Sequence, residues 1–238
     1  MLVLDRSHSK CTDSSLTGGK GSSLAVLSMV NGVTVPDFFV VSTSAFQAAL
    51  ASCTPFYETL SQLENLDTDD AEVENVAHKL KQIVNEIPLP QDLTERLSTF
   101  YHKLCASENI TDCPVAVRSS ATTEDTAEAS FAGQHSTYLN QIGIDSVLKS
   151  VRRCWASVFN RRAVEYRNRL KIPHEEALVA VVVQVMVDPI AAGTGFSVEI
   201  STGFDGLHVA AAYGLGEGVV SGDVTSDEWL FQPSSPHR

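Results

Sequence analysis

Residues 177–187 read Ala-Leu-Val-Ala-Val-Val-Val-Gln-Val-Met-Val, an almost unbroken apolar run rich in valine. A run of this length and β-branched content predicts a strand covered on both faces, and it anchors the reading of the fold. Outward from it, 193–199 and 207–213 read as its antiparallel neighbours, joined by the turn Ser201-Thr202-Gly203-Phe204-Asp205-Gly206. Upstream, Val115-Ala116-Val117 is a strand ending at Arg118, Thr137-Tyr138-Leu139 is another, and Phe38-Phe39-Val40-Val41 after Pro36 is a short buried one.

Helical spacing fills the rest. Leu24, Leu27 and Val30 recur at helical intervals over 22–31, with Gly32 placed for a positive φ at the helix end. Thr43 or Ser44 caps the next helix. Residues 55–107 are acidic, with helical patterns at 68–86 and 91–105 broken by Pro88-Leu89-Pro90, and read as a helical subdomain. Asp145 caps a long helix that turns Leu148, Val151, Trp155, Val158 and Phe159 inward. The proline-marked tail, 232–238, reads as frayed.

Composition narrows the function. The chain has 238 residues, 43% hydrophobic and 19% charged, which is globular composition rather than disorder. A net charge of −12 argues against nucleic acid, which calls for a basic face. No apolar run reaches the roughly 18 residues of a membrane span, and the polar start has no signal-peptide core. Five scattered cysteines without a CxxC pair point to reduced thiols in the cytoplasm rather than to a disulfide frame or zinc site. The histidines lack metal-ligand spacing and the serines lack a G-x-S-x-G elbow, so zinc and hydrolase chemistry are poor fits.

Several segments could carry chemistry. Gly18-Gly19-Lys20-Gly21 before a helix can bring backbone N–H groups and a cation to an anion, although it lacks the spacing of a P-loop; a plain turn is the other reading. Arg118, at a strand tip beside Ser119, Ser120 and Thr122, suits a polyanion, or else pairs with Glu124 or Asp125. Gly133 permits close backbone approach and Thr137 offers a hydroxyl, in a stretch that also reads as a β-bulge or turn. Gln184, inside the valine strand, either bonds neighbouring backbone or meets the polar edge of a ligand. Residues 213–218, Tyr-Gly-Leu-Gly-Glu-Gly, read as a hairpin connection or a nucleotide lid. The stretch 149–171 holds eight basic residues against one acid, a solvated or domain-facing surface in one reading and a phosphate-steering one in another.

Six segments in order, GGKGSSL (18–24), VAVRSSATTED (115–125), ASFAGQHSTYLN (129–140), CWASVFNRRAVEYR (154–167), VVVQVMV (181–187) and YGLGEGVVSGDVTSDEW (213–229), resemble the N-terminal nucleotide-binding region of the phosphoenolpyruvate synthase and pyruvate phosphate dikinase family, with the rifampicin phosphotransferases as close relatives. The resemblance spans nearly all of residues 1–238. It implies an α+β fold, an ATP-grasp-like unit with ATP held between two lobes and Mg2+ as the companion ion. By position, it implies that Lys20 and Arg118 contact the ATP phosphates as the catalytic cations, that Gly133 and Thr137 line the phosphate and sugar region, and that Gln184 meets the nucleotide near the adenine. The backbone of Met186 and Val187 would read the adenine edge. The phosphoryl group would then pass to a carrier histidine on a separate swivelling domain, and from there to pyruvate or an antibiotic.

The sequence departs from the family pattern in two strands. Phe38 stands where the family has glycine, and Ala192-Gly193-Thr194-Gly195-Phe196 replaces a Ser-Gly-Val-Met-Phe strand. The resemblance puts the acidic and glutamine magnesium ligands, the Thr-Cys-His phosphocarrier segment and the pyruvate-binding barrel beyond Arg238. The expectation is thus a C-terminally incomplete ATP-binding part that is inactive by itself, with no metal ligands of its own. Phe204-Asp205-Gly206 and Asp227-Glu228-Trp229 lean toward the synthase and Gln134-His135 toward the antibiotic enzyme; a non-catalytic nucleotide-binding remnant is the third reading.

Overall fold

A computed structural model describes residues 1–64, 66, 72–122, 136–198, 203 and 205–232. The chain divides into two compact units, Met1–Met186 and Val187–Arg238.

In the first unit five strands, β1 (Val3–Asp5), β2 (Phe38–Val41), β3 (Val115–Ala121), β4 (Thr137–Gln141) and β5 (Val179–Val185), form an antiparallel sheet in the order β1-β2-β5-β3-β4. The valine strand lies at its centre, as its sequence demands. Strand side chains alternate between faces. Val179, Val181 and Val183 therefore enter one core together with Val115 and Val117, while Ala180 and Val182 enter a smaller one with Cys11, Ala25, Phe38 and Val40.

Helices cover both faces. α1 (Ser14–Leu27) contributes Ala25 to the smaller core. The larger core takes the apolar stripes of α2 (Thr43–Leu50), α3 (Thr54–Glu64), α4 (Glu72–Glu86), α5 (Gln91–Ser107), α6 (Ile144–Ala156) and α7 (Arg161–Leu170). In α4 the buried residues Val73, Val76, Ala77, Leu80 and Val84 follow the 3–4 spacing of one helix face. Trp155 of α6, fully buried, stacks on Phe46 of α2 with ring centroids 5.1 Å apart. The Tyr101 hydroxyl donates to the Cys113 carbonyl (3.0 Å) and accepts the Gly143 N–H (2.9 Å), tying α5 to the approaches of β3 and α6. Helices α3, α4 and α5 share this core with the sheet.

Several boundaries differ from the sequence reading. The helix expected over 22–31 begins at Ser14 and runs through the glycine segment, with a kink at Gly18 (φ +69°). Ser42, not Thr43 or Ser44, holds the N-cap position of α2, and Gly143, not Asp145, that of α6, because the chain turns one or two residues earlier. Gly32 has its positive φ (+84°) in the turn after α1, not at the helix end. Prolines 88 and 90 do separate α4 from α5, with Pro90 at the N-cap position of the latter.

The second unit corrects the sheet. β6 (Ala191–Val198), β7 (Asp205–Tyr213) and β8 (Asp227–Phe231) form a three-stranded antiparallel sheet of their own, in the order β6-β7-β8. They are not neighbours of β5. A strand has two edges, and β2 and β3 occupy both edges of β5: Val185 N–H donates to the Asp37 carbonyl and Met186 N–H to that of Pro114. Residues 214–216 lead from β7 into the short helix α8 (Glu217–Ser221), so this glycine-rich stretch is a strand-to-helix connection rather than a hairpin. Within β6 the two glycines differ. A Cβ on Gly193 would lie 2.4 Å from the Ala210 carbonyl oxygen, whereas one on Gly195 would meet nothing closer than 3.8 Å. The tail expected to fray falls, from 233 on, outside the described residues.

Candidate functional site

The glycine segment is held by β3. At Gly18 the positive φ reverses the chain between two helical stretches, and a Cβ there would sit 2.2 Å from the Ser120 carbonyl oxygen. Only glycine fits this close approach. On the far side of the kink, Ser120 Oγ donates to the Thr17 carbonyl at 2.8 Å and accepts the Gly21 N–H at 3.1 Å. Thr17 is anchored in turn, its hydroxyl within 2.9 Å of the carbonyls of Cys11 and Asp13. Lys20 lies on the turn fastened in this way and is half-buried. The free N–H groups expected at this helix entrance are thus reduced by one, because Gly21 is bonded to Ser120.

The same strand carries Arg118. Arg118 pairs across the sheet with Thr137 of β4, and directly opposed residues share a face. Gln184 pairs with Ala116, two residues before Arg118, so it also lies on that face. Arg118 Nη1 stands 3.5 Å from Gln184 Oε1, and Gln184 Nε2 donates to the Pro36 carbonyl at 3.3 Å. The buried amide therefore bonds neighbouring backbone and also faces the arginine. This is the face that carries Ala180 and Val182, and α1 packs over part of it.

Burial pushes the Cys154 thiol up, and the nearby positive charges of Arg153 and Lys20 pull it back. Cys154 Sγ points at the carbonyls of Val117 and Ser136, the residues just before Arg118 and Thr137. Arg153 stacks over the Tyr138 ring at 3.9 Å.

Lys20, Arg118, Thr137 and Gln184 thus gather on and beside one sheet face; Gly133 lies outside the described residues. The Met186 N–H, expected at an adenine edge, is bonded to Pro114. Of the basic stretch on α6 and α7, Arg167 points inward while Arg161 stays exposed. Arg167 is buried against His174 and the Val158 carbonyl, and Arg161 bridges Glu74 and Glu165 at 2.6 Å each. Sequence reasoning missed Ser120 as the link, although the Ser119-Ser120 pair after Arg118 was its visible trace.

The donor set suits a polyanion with a polar ring system: two cations, a strand hydroxyl and an amide. Among the described residues no group of three or more His, Cys, Asp or Glu could hold a metal ion. No helix among them is long and apolar enough to cross a membrane.

Residues 14–237 match the family described as pyruvate phosphate dikinase, AMP/ATP-binding domain. The chain belongs to this family. It is 42% identical over 218 residues to a probable phosphoenolpyruvate synthase of Methanothermobacter thermautotrophicus, covering 91% of this chain and 32% of that protein. It is 39% identical over 233 residues to the rifampicin phosphotransferase of Bacillus subtilis, covering 97% and 26%. Against the phosphoenolpyruvate synthase of Aquifex aeolicus the identity is 38% over 243 residues, covering 98% and 28%. The chain spans about a third or less of the length of these relatives.

Proposed function

We propose that this chain is the ATP-binding portion of a phosphoenolpyruvate synthase-like dikinase, with an ATP-grasp-like fold in which residues 55–107 form a helical subdomain backing the sheet. The observation that carries the reading is the placement of Arg118, Thr137 and Gln184 on one face, with the turn of Lys20 fastened to the same strand. Lys20 and Arg118 hold the triphosphate and offset its charge, which a loose phosphoryl-transfer transition state requires. Thr137 donates its hydroxyl beside them, with Gly133 lining the same region. Gln184, fixed through Pro36, holds the Arg118 guanidinium and faces the nucleotide. ATP, when bound, supplies the phosphoryl group. The acceptor is a histidine carried on a separate domain, and pyruvate is the final substrate, in the cytoplasm.

A second reading, the ATP-binding part of an antibiotic phosphotransferase, draws on the 39% identity to the Bacillus subtilis enzyme. Both begin with the same ATP step. By itself this chain is expected to bind ATP weakly at best and to turn over nothing.

Calorimetric titration with ATP, with and without magnesium, tests the site. Lys20→Ala and Arg118→Ala are each expected to weaken binding by about tenfold or more, the order of a charge-assisted hydrogen bond. Equal binding by both variants and the unaltered chain overturns the assignment, and pyruvate-dependent ATP consumption by this chain alone overturns its dependence on another domain.

A further inference from the structure

We infer that Ser120 is a positioning residue, which sets the backbone of Lys20 against the anion that Arg118 holds. The inference rests on the proposed ATP site and goes beyond it by assigning a residue that touches no ligand. Lys20 stands between Gly19 and Gly21, and glycine has the widest backbone freedom of any residue. Lys20 lies in the first helical turn after the kink at Gly18, so its place depends on how that turn is held across the kink. The Ser120 hydroxyl removes that freedom by bonding on both sides of the lysine, to the Thr17 carbonyl before it and the Gly21 N–H after it.

The hydroxyl has one proton, and it goes to Thr17. Ser120 therefore has no proton left to donate to a phosphate, and it acts through Lys20 rather than on the ligand. Its place on β3 gives the arrangement its span. Ser120 and Arg118 are two residues apart and share a face, so one rigid strand carries one cation and fastens the backbone of the other, about 6–7 Å along the strand. The neighbour Ser119 faces the other way, is fully buried, and its hydroxyl has no hydrogen-bond partner among the described residues. Two adjacent serines thus differ in what their hydroxyls do, and Ser119 is the internal control.

The test compares affinities for ATP and for adenosine, which lacks phosphates, by titration followed by NMR on this chain. Ser120→Ala is expected to weaken ATP binding about five- to tenfold and leave adenosine binding unchanged. Ser120→Cys, which keeps the packing but bonds poorly, should match it and guards against a folding defect in the alanine variant. Ser119→Ala should change neither affinity. In the Lys20→Ala background, adding Ser120→Ala should cost less than a further twofold. Equal weakening of ATP and adenosine, or full additivity with Lys20→Ala, would show that Ser120 merely supports the fold and would overturn the inference. So would unchanged ATP binding in Ser120→Ala and Ser120→Cys. A different pattern, in which Lys20→Ala and Arg118→Ala bind ATP as the unaltered chain does, defeats the site reading itself and the inference with it.

Discussion

Arg167 donates a 3.0 Å hydrogen bond from Nε to Nδ1 of His174, and both side chains are buried, at 6% and 4% exposure. Burial, and then the arginine's charge, lower the His174 imidazole from its ordinary 6.5 to about 4. The folded protein thus keeps His174 neutral where the unfolded chain protonates it. Stability from this group is complete above about pH 6.5 and is lost as the pH falls toward 4, by up to roughly 3 kcal/mol. Urea midpoints measured between pH 7.5 and 4.5 should fall steadily. In His174→Gln, which keeps an acceptor for Arg167, this part of the slope should vanish; an unchanged slope would assign it to other groups, such as the nearby Glu175 and Glu176.

Gly18 and Gly32 both have positive φ, at +69° and +84°, but only Gly18 is crowded. Gly32→Ala, with nothing within 4 Å of its new Cβ, should cost about 1–2 kcal/mol, the strain of an L-residue in that region. Gly18→Ala adds a clash with Ser120 and should cost clearly more, while also weakening ATP binding. Thermal melts of the two variants side by side decide this, and equal costs would refute the close packing.

Trp155 is fully buried, and its indole N–H has no hydrogen-bond partner among the described residues. Trp155→Ala should cost roughly 3–5 kcal/mol through the cavity it leaves beside Phe46. Trp155→Phe removes the unpartnered donor along with some volume, and the two effects offset. Its cost is expected to be at most about 2 kcal/mol, read from chemical denaturation. A loss as large as that of the alanine variant would mean the donor is not a burden.

Burial raises the thiols of Cys11 to about 11 and Cys113 to about 12, and pushes Cys154 higher still. The Cys105 sulfur lies 3.0 Å from that of Cys113, also inside the core. Thiolate is the reactive form. Iodoacetamide at pH 8 should therefore label Cys53, the half-buried one, well before the other four, which should react only on unfolding. Peptide mass spectrometry after timed quenching tests this; early labelling of Cys105 or Cys113 would contradict their burial.

The parts of this molecule legible in its sequence are those with a local cause. The centrality of 179–185 follows from its valines, which shun water on both faces. The break between α4 and α5 follows from two prolines, whereas the strand read as ending at Arg118 runs on to Ala121 with Ser119 and Ser120 buried, so its end was not legible. The helix caps at Ser42 and Gly143 were missed because several neighbouring residues could serve, and the choice belongs to the turn that precedes each helix.

Strand partnership was not legible. The pattern in 193–213 is as consistent with pairing to β5 as with a separate sheet, since both bury alternate residues equally well. What excluded the first was that β2 and β3, far off in sequence, had already taken both edges of the valine strand.

By itself the sequence determined which residues carry charge, hydroxyl and amide, and where the valine strand and the helices α4, α5 and α6 lie, because propensity and periodicity act over a few residues. Tertiary structure alone decided that Ser120 would clasp a glycine 99 positions away and that Arg118, Thr137 and Gln184 would share a face. The reason is that a hydrogen bond between distant segments depends on the register of a whole sheet, and register is a property of the packed ensemble of strands, not of any one of them.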